Sequence, residues 1–197
     1  MFNSIQITII LLIVELMGIF IGCSSGSNGN STEMQAKIDS MQAILKNIAD
    51  GNVVLEKNLT TFDTLDYVVF SGQQWARFHE SHANDIVVNW PDGHHTNGLA
   101  KHLEDMKAMF VYAPDTRIKQ HPIRFGNSNG EWTCCTGVFE GTFTKPMPIG
   151  NGKFIKPTGK AFKMPMCTIG HWKDGVMTEE SLFWDNQTYM RQMGIIK

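Results

Sequence analysis

Asp185 is the side chain in this sequence whose neighbours best suit it to act as a base. It lies in the stretch 162–194, FKMPMCTIGHWKDGVMTEESLFWDNQTYMRQMG, where two strand-like runs meet at Asp174-Gly175. Both residues of that dipeptide accept positive φ, which suits a two-residue hairpin turn. Pairing Lys173 with Val176 sets the register. Trp172 then faces Met177, Thr168 faces Ser181, Met166 faces Phe183 and Met164 faces Asp185, all on one side. That side is apolar apart from Thr168, Ser181 and Asp185. A carboxylate at its end is partly desolvated, which raises its pKa and makes it a better proton acceptor near neutral pH. The opposite side carries Cys167, Ile169 and His171 against Thr178, Glu180, Leu182 and Trp184. A structural role for Asp185 stays open beside the chemical one. A short helix is expected over 186–193, and Asp is a favoured N-cap, a task Asn186 could also take.

The other groups with chemical potential read more plainly. Glu179 and Glu180, next to the turn, are expected to be solvated strand-end charges. Of seven histidines, His79 and His82 stand three apart on a predicted helix, but no carboxylate lies beside them at ligand spacing. With no Cys-x-x-Cys or Cys/His spacing either, no metal site is expected. His94-His95 fall in a polar loop, and His121 before Pro122 reads as packing. Cys134 and Cys135 are neighbours on a probable strand and point to opposite faces. Cys167 reaches one of them only if their strands are adjacent, and no disulfide framework is expected.

A chain of 197 residues, 42% hydrophobic and 18% charged, can bury one proper core. The net charge of −2 and the scattering of 17 Lys and Arg give no electrostatic footprint for nucleic acid. Residues 1–22 form an apolar run ending in Phe20-Ile21-Gly22, followed by Cys23 and a Ser/Gly/Asn-rich tract. This resembles a lipoprotein signal in which Cys23 becomes the lipidated N-terminus and a polar tether follows. No Lys or Arg precedes Lys37 and Glu15 interrupts the run, so an uncleaved membrane anchor is the alternative. Both place the protein at the membrane surface of the cell envelope. Residues 23–54 then supply the tether and an amphipathic helix, and residues 55–197 the domain.

The elements that must position Asp185 follow from periodicity. Thr32 to Gln35 make a capping box, and Met34, Ile38, Met41, Leu45 and Ile48 fall at helical spacing until Asp50-Gly51, which is expected to stop the helix. A domain helix through Leu59, Phe62, Leu65 and Val69 precedes a second, whose start is marked by a Ser71/Gln74 capping box and which carries Trp75, Phe78, His79 and His82. A strand covers 86–90, a third helix 98–112 up to Pro114, and strands follow from Thr116 to about Phe125 and from Trp132 to Thr144. The Pro/Gly-rich loop 145–160 has the length of a lid or rim. Helices first and antiparallel strands after give an α+β fold, helices packed on one face of a curved sheet.

The ordered set VVNWPDG, FVYAPDT, GVFEGTF followed by PTGK, and HWKDGVMTEESLFWDN resembles the SnoaL-like family, often labelled ester cyclases, over about residues 58–194. The resemblance implies the nuclear transport factor two-like cone, a curved, mainly antiparallel sheet packed on three helices, here with an extra N-terminal amphipathic helix. It implies an Asp after the Asp-Gly turn, Asp185 here, that removes a proton next to a carbonyl so that the carbanion closes a ring. Hydrogen-bond donors near the enolate are sought among His82, Asn89, Trp90, His102 and Thr168. The pocket is expected from these with Met164, Met166, Ser181 and Phe183, and no metal or cofactor is required. A small apolar carbonyl compound is the expected ligand, and pairing of two copies through the outer sheet face is common in such folds. The alternative is a surface-tethered binding module that uses the same pocket without chemistry.

Overall fold

The computed structural model describes residues 28–197. Cys23 and the signal-like run lie outside the described residues, and among the described residues no helix is long and apolar enough to cross a membrane. The chain divides into two compact units at Ile44 and Leu45. In the first, residues 31–44 are helical, with Met34, Met41 and Ile44 exposed. The second, Leu45–Lys197, holds the sheet and the core.

Helix α1 spans Asn28–Thr64, so Asp50-Gly51 does not stop it. Gly51 serves another purpose. The helix lies against the turn at 127–130, and a Cβ on Gly51 would fall 1.9 Å from the carbonyl oxygen of Ser128. Gly is chosen for close approach, at the modest helical cost any Gly carries. The chain continues as a π-helical turn, Leu65–Phe70, and a single 3-10 segment, Trp75–Glu80, in place of the expected second helix. The Ser71/Gln74 capping box does not form because the Ser71 hydroxyl is engaged elsewhere, bonded to the Asp66 carbonyl at 2.6 Å and to the backbone of Ile118. His82 consequently belongs to a strand. Then follow β1 (His82–Asn89), β2 (His95–Asn97), α2 (Leu99–Tyr112), β3 (Arg117–Ile118), β4 (Arg124–Gly126), β5 (Trp132–Thr142), β6 (Met147–Pro148), β7 (Phe154–Ile155), β8 (Ala161–Lys173), β9 (Val176–Phe183) and α3 (Asn186–Gln192).

The main sheet runs β2-β1-β9-β8-β5-β3, with β4 also on β5. Every pair is antiparallel except β1 with β9, so the α+β expectation holds. Leu59, Phe62, Val69 and Phe78 from the helical layer meet Phe139, Phe162, Met164, Trp172 and Met177 from the sheet in one core. The loop after β5 is itself a small hairpin, β6 with β7.

The β8–β9 hairpin forms as expected at its turn, with Asp174 and Gly175 at φ 53° and 84°, and with Lys173 opposite Val176 and Trp172 opposite Met177. One step later the register departs from the expected one. His171 pairs with Glu179, which leaves Thr178 as an extra residue on β9, its hydroxyl donating to the His171 carbonyl at 3.3 Å. One inserted residue sends every later side chain of a strand to the other face. Thr168 therefore faces Leu182, and Ile169 faces Ser181. Beyond the bulge the inward side chains are Glu180, Leu182 and Trp184. Ser181, Phe183 and Asp185 are turned away from the cavity.

Candidate functional site

Between the helical layer and the sheet lies a cavity of about 50 Å³. Phe70, Phe78, Met106, Phe139, Met166 and Trp184 give it an apolar lining, into which Asp66, His82, His102, Thr168 and Glu180 are set. Each polar group arrives by a distinct local cause. Asp66 sits in the π-helical turn, a distortion of helical repeat common at functional sites. His82 opens β1, His102 is the buried polar member of the inner face of α2, and the Thr178 bulge brings in Glu180.

Asp66 is the end of a closed relay. His121 places Nε2 2.7 Å from Asp66 and Nδ1 2.8 Å from Asp63, and Arg124 donates to the second Asp63 oxygen at 2.7 Å. Burial pushes the Asp66 carboxyl above its ordinary value against the pull of His121. His121 is itself held above its ordinary value: burial opposes this, but Asp66 and Asp63 outweigh it. Across the cavity Glu180 lies 3.4 Å from His102 Nε2 and 3.8 Å from His82 Nε2. Burial works against ionisation of Glu180, yet His82 and His102 beside it hold its carboxyl below the ordinary range. Burial also drives His102 down to about 4, so its ring is neutral at physiological pH. The His82 and His102 ring centroids are 5.4 Å apart, and Trp90 backs His102 at 5.7 Å.

Of the residues expected from sequence, His82, His102, Met166 and Thr168 are brought together in the cavity. Met164 is buried in the core without lining it. Trp90 donates to Thr96 at 2.8 Å and packs behind the site. Asn89 donates to Glu179 and Ser181, a polar cluster away from the cavity, and Phe183 is half exposed. Asp185 is the main correction. Its carboxylate accepts from the N–H groups of Gln187 and Thr188 and from the Thr188 hydroxyl at 2.7 Å, which makes it the N-cap of α3. It lies at an open surface depression with Pro91, Pro165 and Cys167. Thr188 holds its carboxyl below the ordinary value, the wrong direction for a base at neutral pH. Glu180, expected to be solvated, is the buried carboxylate of this hairpin. His121, read as packing, is the prop of Asp66. The loop 145–160 contributes no lining residue. Strands β5 and β8 are adjacent, and they bring the free cysteines Cys134 and Cys167 to 3.4 Å.

Asp66 was missed although a signal existed. It falls four residues after Phe62 and three before Val69, so a charge occupies a core-facing position of an apolar stripe. Such a charge needs a buried partner or a task.

The comparisons agree with this architecture. The profile of the SnoaL-like polyketide cyclases matches residues 63–193. A search of curated proteins finds no significant match. Among solved structures, a protein assigned as a SnoaL-like polyketide cyclase from Jannaschia sp. CCS1 superposes with a TM-score of 0.62 at 15% identity, covering 73% of this chain and 96% of its own. A protein assigned as a polyketide cyclase from Xanthomonas campestris pv. campestris gives 0.60 at 16% identity, with 71% and 98% covered. IdmH from Streptomyces antibioticus, likewise assigned as a polyketide cyclase, gives 0.58 at 22%, with 70% and 98% covered. At these identities the likeness is one of fold. The profile match, which spans most of the second unit, goes further: the chain belongs to the SnoaL-like polyketide cyclase family.

Proposed function

We propose that the cavity binds a small, largely apolar carbonyl compound and that Asp66 removes a proton from the carbon next to the carbonyl. The observation that carries this is a buried carboxylate facing a mostly apolar cavity and propped from behind by His121 and Asp63. The C–H proton passes to an Asp66 oxygen, and the electron pair moves to the carbonyl oxygen as an enolate. His102 lines the cavity, and its Nδ1, which has no hydrogen-bond partner, is the ring N–H that would donate to it. Return of the proton at another carbon gives an isomer. Attack of the carbanion on a second carbonyl of the same molecule closes a ring, and the alkoxide so formed takes the proton back from Asp66, the chemistry for which the family is named. A volume of about 50 Å³ is room for a few water molecules, far below the several hundred Å³ of a drug-sized site, which favours a ligand of few heavy atoms. The same proposal puts the protein at the cell envelope, tethered through Cys23, on the strength of the apolar run and the polar tract that follows it.

The test is deuterium exchange from D2O into a panel of small ketones and 1,3-diketones, followed by NMR. The native chain should accelerate exchange at the α-carbon. Asp66→Asn should slow it by about 10²- to 10⁴-fold, the usual worth of a positioned general base. Equal exchange by the two proteins sinks the assignment of Asp66. Saturable ketone binding without exchange by either protein would favour the binding module instead.

A further inference from the structure

We propose that His82, His102 and Glu180 form a site for one divalent transition-metal ion, with Zn²⁺ the best match to the donors. Among the described residues these three are the one set of metal-ligating side chains whose donor atoms all lie within 4.8 Å of one another, and all three are buried. They come from β1, α2 and β9, so the fold, not a local motif, assembles them. Two metal bonds of about 2.0–2.1 Å at a tetrahedral angle set their donors about 3.3 Å apart. The separations of 3.4 Å from His102 Nε2 to Glu180 and 3.8 Å from His82 Nε2 to Glu180 lie close to that. They are long for hydrogen bonds. The groups thus converge on a point without bonding one another well.

The tautomer of His82 supports the same conclusion. Its Nδ1 lies 2.8 Å from the Ser81 hydroxyl oxygen and 3.3 Å from the Phe78 carbonyl, and Ser81 itself donates to that carbonyl. The Phe78 carbonyl can only accept, which favours the hydrogen on Nδ1. Nε2 is then the nitrogen left for a ligand, on a side chain only 1% exposed and with no hydrogen-bond partner. A carbonyl or hydroxyl that fixes the outer nitrogen of an inward-facing His is the usual support of a metal ligand.

Charge balance points the same way. Glu180 is 5% exposed, and among the described residues no Lys or Arg pairs with it. A buried carboxylate without a cation is expensive, and a divalent ion supplies one. Two imidazole nitrogens and one carboxylate oxygen suit Zn²⁺ and its transition-metal neighbours, whereas Mg²⁺ and Ca²⁺ prefer oxygen throughout. Three protein donors leave coordination positions facing the cavity. The inference stands apart from the proton transfer proposed above, because neither Asp66 nor His102 Nδ1 is among the donors.

The test uses the full chain, purified in detergent, stripped with chelator and titrated with Zn²⁺ against a chromophoric competitor, with metal content counted by mass spectrometry. One ion per chain is expected. His102→Ala and Glu180→Gln should weaken binding by about a hundredfold or more, since even supporting residues are worth 10- to 100-fold. A double variant of the exposed pair His94→Ala and His95→Ala should keep it. Absence of saturable one-to-one binding, or unchanged affinity in folded His102→Ala, overturns the proposal. Because a buried variant can fail to fold, the native protein gives an independent reading. Its unfolding midpoint should rise with Zn²⁺ but not with equal Mg²⁺, and no rise with Zn²⁺ also overturns the site.

Discussion

Two histidine–carboxylate clusters border the same cavity and are built in opposite ways. In one, His121 is closed: both ring nitrogens reach carboxylates within 2.8 Å, and Arg124 completes the far end. In the other, Glu180 approaches His102 and His82 only to 3.4 and 3.8 Å, and His82 Nε2 and His102 Nδ1 have no hydrogen-bond partner. Both clusters pair histidine with carboxylate, and the side chains of His121, Asp66, His82, His102 and Glu180 are all buried, so connectivity makes the difference. Flanked by two carboxylates, His121 is held above its ordinary value against burial, whereas His102, with one longer contact, is pushed down to about 4. The closed cluster fixes its charges and holds Asp66 in place. The open one has no Lys or Arg beside Glu180 among the described residues, and its unpartnered ring nitrogens are left for something else to occupy. A satisfied network rigidifies, and an unsatisfied one is where a ligand gains most.

The largest expected effect tests that contrast directly. Asp66→Ala removes one partner of a buried, closely bonded pair and should cost about 3–5 kcal/mol of stability in urea unfolding. Glu180→Gln in metal-free protein breaks no short bond and should cost less, about 1–3 kcal/mol for one buried polar group left short of partners. Equal losses would erase the distinction between the clusters.

The pH dependence separates them by sign. His102 is depressed from 6.5 to about 4, so its contribution is present above pH 6.5 and is lost as pH falls towards 4. The limit of that loss is about 3 kcal/mol. Glu180 is also depressed, and its contribution disappears only at still lower pH, as pH drops below 4.5 through its lowered value. His121 is raised, so its contribution is full below 6.5 and is lost as pH rises through the raised value. Asp66, also raised, opposes the His102 effect in the acid window. The readout is therefore the difference between native protein and His102→Gln across pH 4–8, measured as urea midpoints. That difference should shrink towards acid pH. A constant difference would mean that His102 is not held neutral by burial.

How much of this the sequence carried depends on how local the cause was. The Asp174-Gly175 turn, helix α2 and the α+β order were legible because periodicity and turn chemistry are local. Three pocket residues, His102, Met166 and Thr168, followed from the faces of their elements, whereas His82 reaches the cavity from a strand in place of the expected helix. Glu180 was lost to a single extra residue, Thr178, since strict alternation from the turn puts it on the outer face and nothing nearby announces a bulge. Gly51 was misread because a glycine that ends a helix and one that lets a helix approach a turn look alike until Ser128 is placed beside it. The relay through His121 joins residues 63, 66 and 121, whose separation in sequence only the fold removes.

The smallest effect is expected at Asp185, and it decides between Asp66 and Asp185 as the base. Glu180 is buried against two histidines, while Asp185 spends both oxygens on the first turn of α3. An N-cap on a short terminal helix holds only that helix, so Asp185→Ala should lower the unfolding midpoint by about 2–4 °C. Deuterium exchange into ketones should stay at the native rate, because no atom of Asp185 lines the cavity. The Asn variant retains a capping side chain and should lose less of the midpoint while also leaving exchange intact. Exchange lost in Asp185→Asn with an unchanged midpoint would return the base to Asp185. Asp66 would then be a structural carboxylate, and the closed cluster would hold the fold without taking part in the chemistry.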